Sequence, residues 1–271
     1  MALGHRVTVE ALTRPGAQGR DLARCRALLT AGTLSFLVGR YGEAREYDEA
    51  SLAIAHEIRD PQRAAAALMQ LGSSVLAQGD RERARRYLEE AVALARQLKI
   101  ERQLAMALTG LAELHRAEGQ LDKAQPLYEE ALAFSRELGD HGGTAINLVN
   151  LAAISVSLGA GDRARGMLRD AIAISEEIGS KPVALVDCAA ALAASFGEWE
   201  RAARLYGAGE RLSEQMGYHR EPVDEAALAP FIARSREVQG AAAFAAAEAA
   251  GRSLSYDEAI AEARAWLEQR S

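Results

Sequence analysis

Apolar and small residues return along this chain with two superimposed periods. The short period is helical: Leu88, Ala91, Val92 and Ala95 share one helix face, and the Glu89-Glu90 pair between them falls on a solvated one. The long period is 40 residues, as in the step from Gly32 to Gly72. Small residues stand at Gly32, Gly72, Ala112 and Ala152. A glycine follows each at Gly39, Gly79, Gly119 and Gly159, then an alanine at Ala44, Ala84, Ala124 and Ala164. A further small residue comes at Ser51, Ala91, Ala131 and Ala171, and Leu52, Val92, Leu132 and Ile172 extend the apolar face. The first small residue predicts a mid-helix point where a second helix approaches closely. The glycine predicts the end of that helix, because a left-handed C′ position suits a residue without Cβ. Each unit therefore reads as two antiparallel helices joined by a short turn. A fifth unit, shifted by two residues, is carried by Gly197, Trp199, Ala202, Tyr206 and Gly209. Pro61 and Pro182 fall between units, where a helix stops. Pro126 falls about one turn inside a second helix and predicts a slight kink there.

Composition narrows the class. Of 271 residues 49% are hydrophobic but only 5% aromatic, a balance suited to close-packed helices rather than a β-sandwich. The formal net charge is −6, and arginines interleave with acidic residues, which argues against nucleic acid as the main partner. Cys25 and Cys188 match no metal spacing and point to a reduced, cytoplasmic setting. No stretch predicts a signal peptide or a membrane span.

The repeat resembles the tetratricopeptide repeat, a helical hairpin of about 34 residues. The extra residues per unit imply longer helices or turns. The large-residue position of the consensus is Leu88, Tyr128 and Leu168; in the first unit it is Asp48, with Tyr47 beside it, so the expected packing there is uncertain by one residue. The resemblance implies an all-α fold, a right-handed α-α superhelix with C-terminal capping helices. Its expected organisation is an N-terminal extension over residues 1–20, partly disordered, five hairpins over 21–216 and a helical cap over 217–271. The expected cap begins at Glu221-Pro222-Val223-Asp224, breaks at Gly240 and Gly251, and restarts at a Ser255–Glu258 capping box. The stretches Glu200–Ala208 and Gly251–Ala259 also resemble the end of bacterial LuxR-type and adenylate-cyclase-type signalling ATPase regulators. That likeness implies the sensor or docking region of a transcriptional regulator.

Chemistry is sparse. No phosphate-binding loop, nucleophile elbow or HExxH motif is present. The five histidines lack partners at ligand spacing, and His115 reads as structural. The carboxylate pairs at 89–90, 129–130 and 176–177 read as solvated faces. No catalytic residue, cofactor or metal is expected. The expected function is instead binding of a protein or peptide, with self-association as a variant and neither nucleic acid nor membrane as partner. In tetratricopeptide arrays the first helices line a concave groove. The resemblance places Leu29, Thr33 and Phe36 there from the first unit, Met69, Ser73 and Leu76 from the second, and Met106, Thr109, Glu113 and Arg116 from the third. The fourth unit adds Val149 beside Asn150, and the fifth adds Asp187, Ala191 and Ala194. Such a mostly apolar lining suits an amphipathic helix. A terminal segment of the chain itself is an alternative occupant. A small-ligand or signalling-peptide receptor is the alternative function, with Gln70, Arg116, Asn147 and Asn150 as its polar groups.

Overall fold

The computed structural model describes residues 2–269. Its described residues form an all-α fold of TPR-like helical hairpins, in two compact units: Met1–Phe134 with Gly217–Glu221, and Ser135–Met216 with Pro222–Ser271.

Unit 1 opens with a helix where the sequence predicts a partly disordered extension. This helix, α1 (Ala2–Thr13), buries Leu12 against Cys25, Leu28 and Ile54, and its His5 Nε2 lies 3.0 Å from the buried Ser35 hydroxyl. It carries no repeat register, so nothing in the 40-residue period marks it. The expected loop survives only from Arg14 to Asp21, around a short 3-10 turn at Pro15–Ala17. The hairpins follow as α2 (Leu22–Leu37), α3 (Tyr41–Glu57), α4 (Pro61–Ala77), α5 (Arg81–Leu98), α6 (Glu101–Ala117) and α7 (Leu121–Glu137). Second helices start at 41, 81 and 121, on the 40-residue period.

Local chemistry sets these limits. Asp21, Asp60 and Asp80 cap α2, α4 and α5 by accepting the backbone N–H three residues on. At the other end Gly79 takes φ 88°, the left-handed geometry that stops α4. The core lies between the hairpins: Leu68, Val92, Leu104 and Leu108 pack with Ala91 and Ala131. A fully buried leucine contributes about 2 kcal/mol, and the alanines let the helices approach close enough to bury it. Pro126 lies on the exposed side of α7, which runs on through it.

Unit 2 contains α8 (His141–Ser157), α9 (Gly161–Glu177), α10 (Val183–Ser195), α11 (Trp199–Met216), α12 (Pro222–Gln239), α13 (Ala241–Gly251) and α14 (Tyr256–Gln269). The helices of the expected cap, α12 to α14, fall in one compact unit with α8 to α11. Helices α12 to α14 pack on α9, α10 and α11, while the short segment Gly217–Glu221 belongs to unit 1. Two glycines make the α11–α13 contact. A Cβ on Gly207 would stand 2.1 Å from the Glu248 carbonyl oxygen, and one on Gly251 would stand 1.8 Å from that of Arg204. The Ser255 box forms as expected: its N–H donates to Glu258 Oε2 at 2.8 Å, and the Glu258 N–H donates back to Ser255 Oγ at 3.3 Å. The sequence stretches that resemble regulator tails are thus packing elements.

Candidate partner-binding groove

In unit 1 the first helices α2, α4 and α6 pack in series. Side chains at groove positions differ sharply in access. Thr33 and Met106 are exposed, Met106 at 44%. Phe36, Met69, Ser73, Leu76, Thr109 and Glu113 are half-buried, and Leu29 and Arg116 are buried. Several serve the fold as well as the face. Met69 leans on the Leu68–Leu104–Leu108 cluster, Leu76 on Val75, Leu88 and Leu114, and Phe36 on Tyr41 with ring centroids 5.3 Å apart. The accessible lining is therefore more polar than expected: Thr33, Ser73, Thr109 and Glu113 reach solvent alongside Met106 and the edges of the other apolar groups. Sequence spacing locates a position on a helix face. It does not report how deeply the neighbouring helix buries it.

The departure at Asp48 is resolved. No slip occurs: Asp48, not Tyr47, occupies the large-residue position and is fully buried. Gly32 makes the room, since a Cβ there would stand 2.1 Å from Asp48 Oδ1, just as one on Gly72 would stand 2.5 Å from Leu88 Cγ. Ser74 Oγ donates to Asp48 Oδ2 at 3.3 Å. Gln70, at no expected groove position, reaches Oδ1: with its amide nitrogen turned inward, Nε2 lies 3.0 Å from that atom and 3.1 Å from the Leu29 carbonyl oxygen. Burial pushes the Asp48 carboxyl up to about 8, the Ser74 hydrogen bond opposes this in part, and the neighbouring Glu49 charge adds to it.

One stretch of the chain's own C-terminal half lies at the end of α2. The His219 N–H donates to the Leu37 carbonyl oxygen at 3.1 Å, and its ring covers Gly39, where a Cβ would come within 2.5 Å of Cδ2.

In unit 2 the corresponding positions are mostly closed. Ile146 on α8 is exposed and Asn150 half-buried, but Val149 and Val156 are buried. On α10, Asp187, Ala191 and Ala194 are buried too. This helix is buried nearly all round, with α8, α9, α11, α12 and α14 against it. Asn147 spends its amide on its own helix, donating to the Gly143 carbonyl oxygen at 2.9 Å.

Other sequence candidates are structural. His115 Nδ1 lies 3.0 Å from Gln120 Oε1 across the hairpin turn. Glu130 pairs with Arg96 at 2.9 Å, and Glu176 pairs with Arg264. Both cysteines are buried. Among the described residues no cluster of His, Cys, Asp and Glu stands ready for a metal ion, and no helix is long and apolar enough to cross a membrane.

Solved structures share this fold at low identity. The Rap protein complexed with competence and sporulation factor aligns with a TM-score of 0.74 at 14% identity, over 98% of this chain and 70% of that one. Aspartyl phosphate phosphatase F from Bacillus subtilis aligns at 0.64 and 15%, over 86% and 61%. BtubC from P. vanneervenii aligns at 0.56 and 20%, over 82% and 91%. These likenesses show the fold alone. No curated protein matches the chain. The model of the MalT-like TPR region matches residues 27–271, nearly the whole chain from α2 onward, and the chain belongs to that family.

Proposed function

We propose that the chain is a non-catalytic docking module that binds a protein or peptide on the α2–α4–α6 face of unit 1. The observation that carries this reading is the contrast in access. Thr33 and Met106 stand open at groove positions in unit 1, whereas in unit 2 Ile146 stands open but Val149, Val156, Asp187, Ala191 and Ala194 are buried at those positions. Tetratricopeptide-type repeat regions are generally scaffolds. The Rap structure named above, with a factor bound, is consistent with a fold of this kind holding a partner. Membership of the MalT-like family supports a finer reading: the sensor or docking region of a cytoplasmic bacterial transcriptional regulator. An amphipathic helix suits the lining, its apolar stripe meeting Met106, Met69 and Leu76 and its polar edge meeting Thr33, Ser73 and Glu113.

Substitutions must spare the core, so Met69 and Leu76, which lean on it, are poor probes. The pair Thr33→Glu and Met106→Glu is better, with Ile146→Glu in unit 2 as control. Affinity capture from the native cell extract, read by mass spectrometry, is expected to lose the wild-type partner with the double variant and keep it with the control. Helical circular dichroism should stay unchanged in both. Retention of the partner by a folded double variant would sink the assignment. The small-ligand alternative has less support, because the Asn147 amide donates within its own helix.

A further inference from the structure

The buried carboxyl of Asp48 is out of keeping with its surroundings. Its counterparts Leu88, Tyr128 and Leu168 are large and fully buried, as a hairpin seam requires. A buried carboxylate without a cation is costly, and a group kept against that cost is a candidate for a functional role. The charges around it offer no relief. Glu49 on the same helix is of like sign. Arg45 on α3 and Arg83 on α5 approach Glu49, at 3.8 Å and 4.0 Å, and His5 on α1 approaches Glu43 at 3.3 Å. Helix α2 presents Gly32, and α4 presents Ser74 and Gln70, all uncharged.

Gln70 connects this carboxyl to the groove. Its Oε1 accepts from the hydroxyl of the exposed Thr33 at 3.0 Å, and the same hydroxyl lies 3.0 Å from the Leu29 carbonyl oxygen, to which it donates when it is not held by Oε1. We propose that Asp48 and Gln70 form a proton-operated switch on the floor of unit 1's groove, in which the state of the buried carboxyl sets which hydrogen-bonding atoms Gln70 offers an incoming partner. A carboxylate only accepts. It holds one amide N–H of Gln70, the Leu29 carbonyl holds the other, and Oε1 faces Thr33 and the groove as an acceptor. A neutral carboxyl must donate its own O–H. Turning the amide over brings Oε1 to that proton and swings the NH2 group toward Thr33, where it offers a donor. The single Thr33 proton moves with the amide: it goes to Oε1 while a Gln70 N–H holds the Leu29 carbonyl, and to the Leu29 carbonyl once the amide has turned, so that oxygen is satisfied in both states. No bond other than the O–H of Asp48 is made or broken, and the proton exchanges with solvent. With burial placing the carboxyl at about 8, both states are populated near neutral pH.

The inference rests on the groove reading only for what the switch serves, and its test reads the free protein. In the full chain labelled with 13C and 15N, the Asp48 carboxyl and the Gln70 side-chain NH2 are followed from pH 5 to pH 10. One shared midpoint about 8 is expected, and Asp48→Asn should abolish the movement at Gln70 while helical circular dichroism is kept. Asp48→Leu, which copies the Gly72–Leu88 pair, is the second variant and should also leave the Gln70 signals static. A midpoint in the ordinary carboxylate range, or Gln70 signals that ignore Asp48, overturns the switch. Either result leaves the docking assignment standing. Loss of the docking assignment in the capture experiment, in turn, leaves the titration unaffected.

Discussion

Unit 1 and unit 2 use the same hairpin and finish it differently. In unit 1, groove positions on α2 and α6 reach solvent, a carboxyl sits under Gly32, and the turns between hairpins pass through Arg59 and Lys99 at φ 55°. In unit 2 the inward side of α10 is buried, the place of Asp48 is taken by Leu168, and the same turns are made by Gly139 and Gly179. Unit 2 thus follows local preference at each of these points, and unit 1 departs from it. Departures of this kind concentrate where a structure serves something besides its own stability.

The largest expected effect sharpens that contrast at Asp48. In the unfolded chain an aspartate titrates at about 3.9. In the folded protein this one is raised to about 8. Between those values the folded state holds a proton that the unfolded state lacks. The contribution is therefore fully present below pH 4, falls as pH rises toward 8 and levels above it. The slope is at most about 1.4 kcal/mol per pH unit. Denaturant unfolding at pH 5, 7 and 9 should show this loss in the wild type and not in Asp48→Asn. Parallel curves for the two proteins would mean that the seams of the two units are electrostatically alike.

The second effect belongs to unit 2. Gly207→Ala places a methyl group against the Glu248 carbonyl oxygen, backbone against backbone, and should cost about 3 kcal/mol in chemical denaturation. Gly166 on α9 is the control, because a Cβ there meets nothing within 4 Å. Gly166→Ala should instead stabilise the protein by up to about 1 kcal/mol through helix propensity. Equal outcomes at the two glycines would show that α13 does not sit on α11 as closely as the structure places it.

These residues also show what the sequence makes legible. The 40-residue period locates the first four hairpins and, with a shift of two, the fifth, because small residues and turn glycines are local requirements that each copy must meet separately. The large-residue register holds even at Asp48, since Gly32 opposite leaves room for whatever side chain occupies the place. Helix α1 is missed because its packing onto α2 is a single non-repeated event. Which helices α12 to α14 pack on is illegible for a related reason: a capping box or a glycine announces a helix but not its neighbour. Gln70 is read in the sequence as a polar group for a small ligand and not as a partner of Asp48. Its link to Asp48 depends on three helices meeting, which no spacing within one helix encodes. The positive-φ turns at Arg59 and Lys99 are missed because neither residue type signals a left-handed conformation.

Those turns give the smallest effect. Lys99 holds φ 55° and ψ 41°, a left-handed conformation that costs a residue with a Cβ about 1 kcal/mol. Gly179 holds φ 66° at the corresponding turn of unit 2, in open space. Lys99→Gly removes the steric cost but gives the unfolded chain more freedom, which returns a part of it. The expected net gain is about 0.5 kcal/mol, and Gly179→Lys should lose a similar amount. Melting curves of both single variants and of the pair check this, with the pair close to wild type because the two expected changes are opposite in sign and similar in size. A loss at Lys99→Gly would mean that the lysine charge, beside the carbonyls that end α5, outweighs its strained backbone. In that event the non-glycine turn of unit 1 would be a stabilising choice and not a tolerated cost.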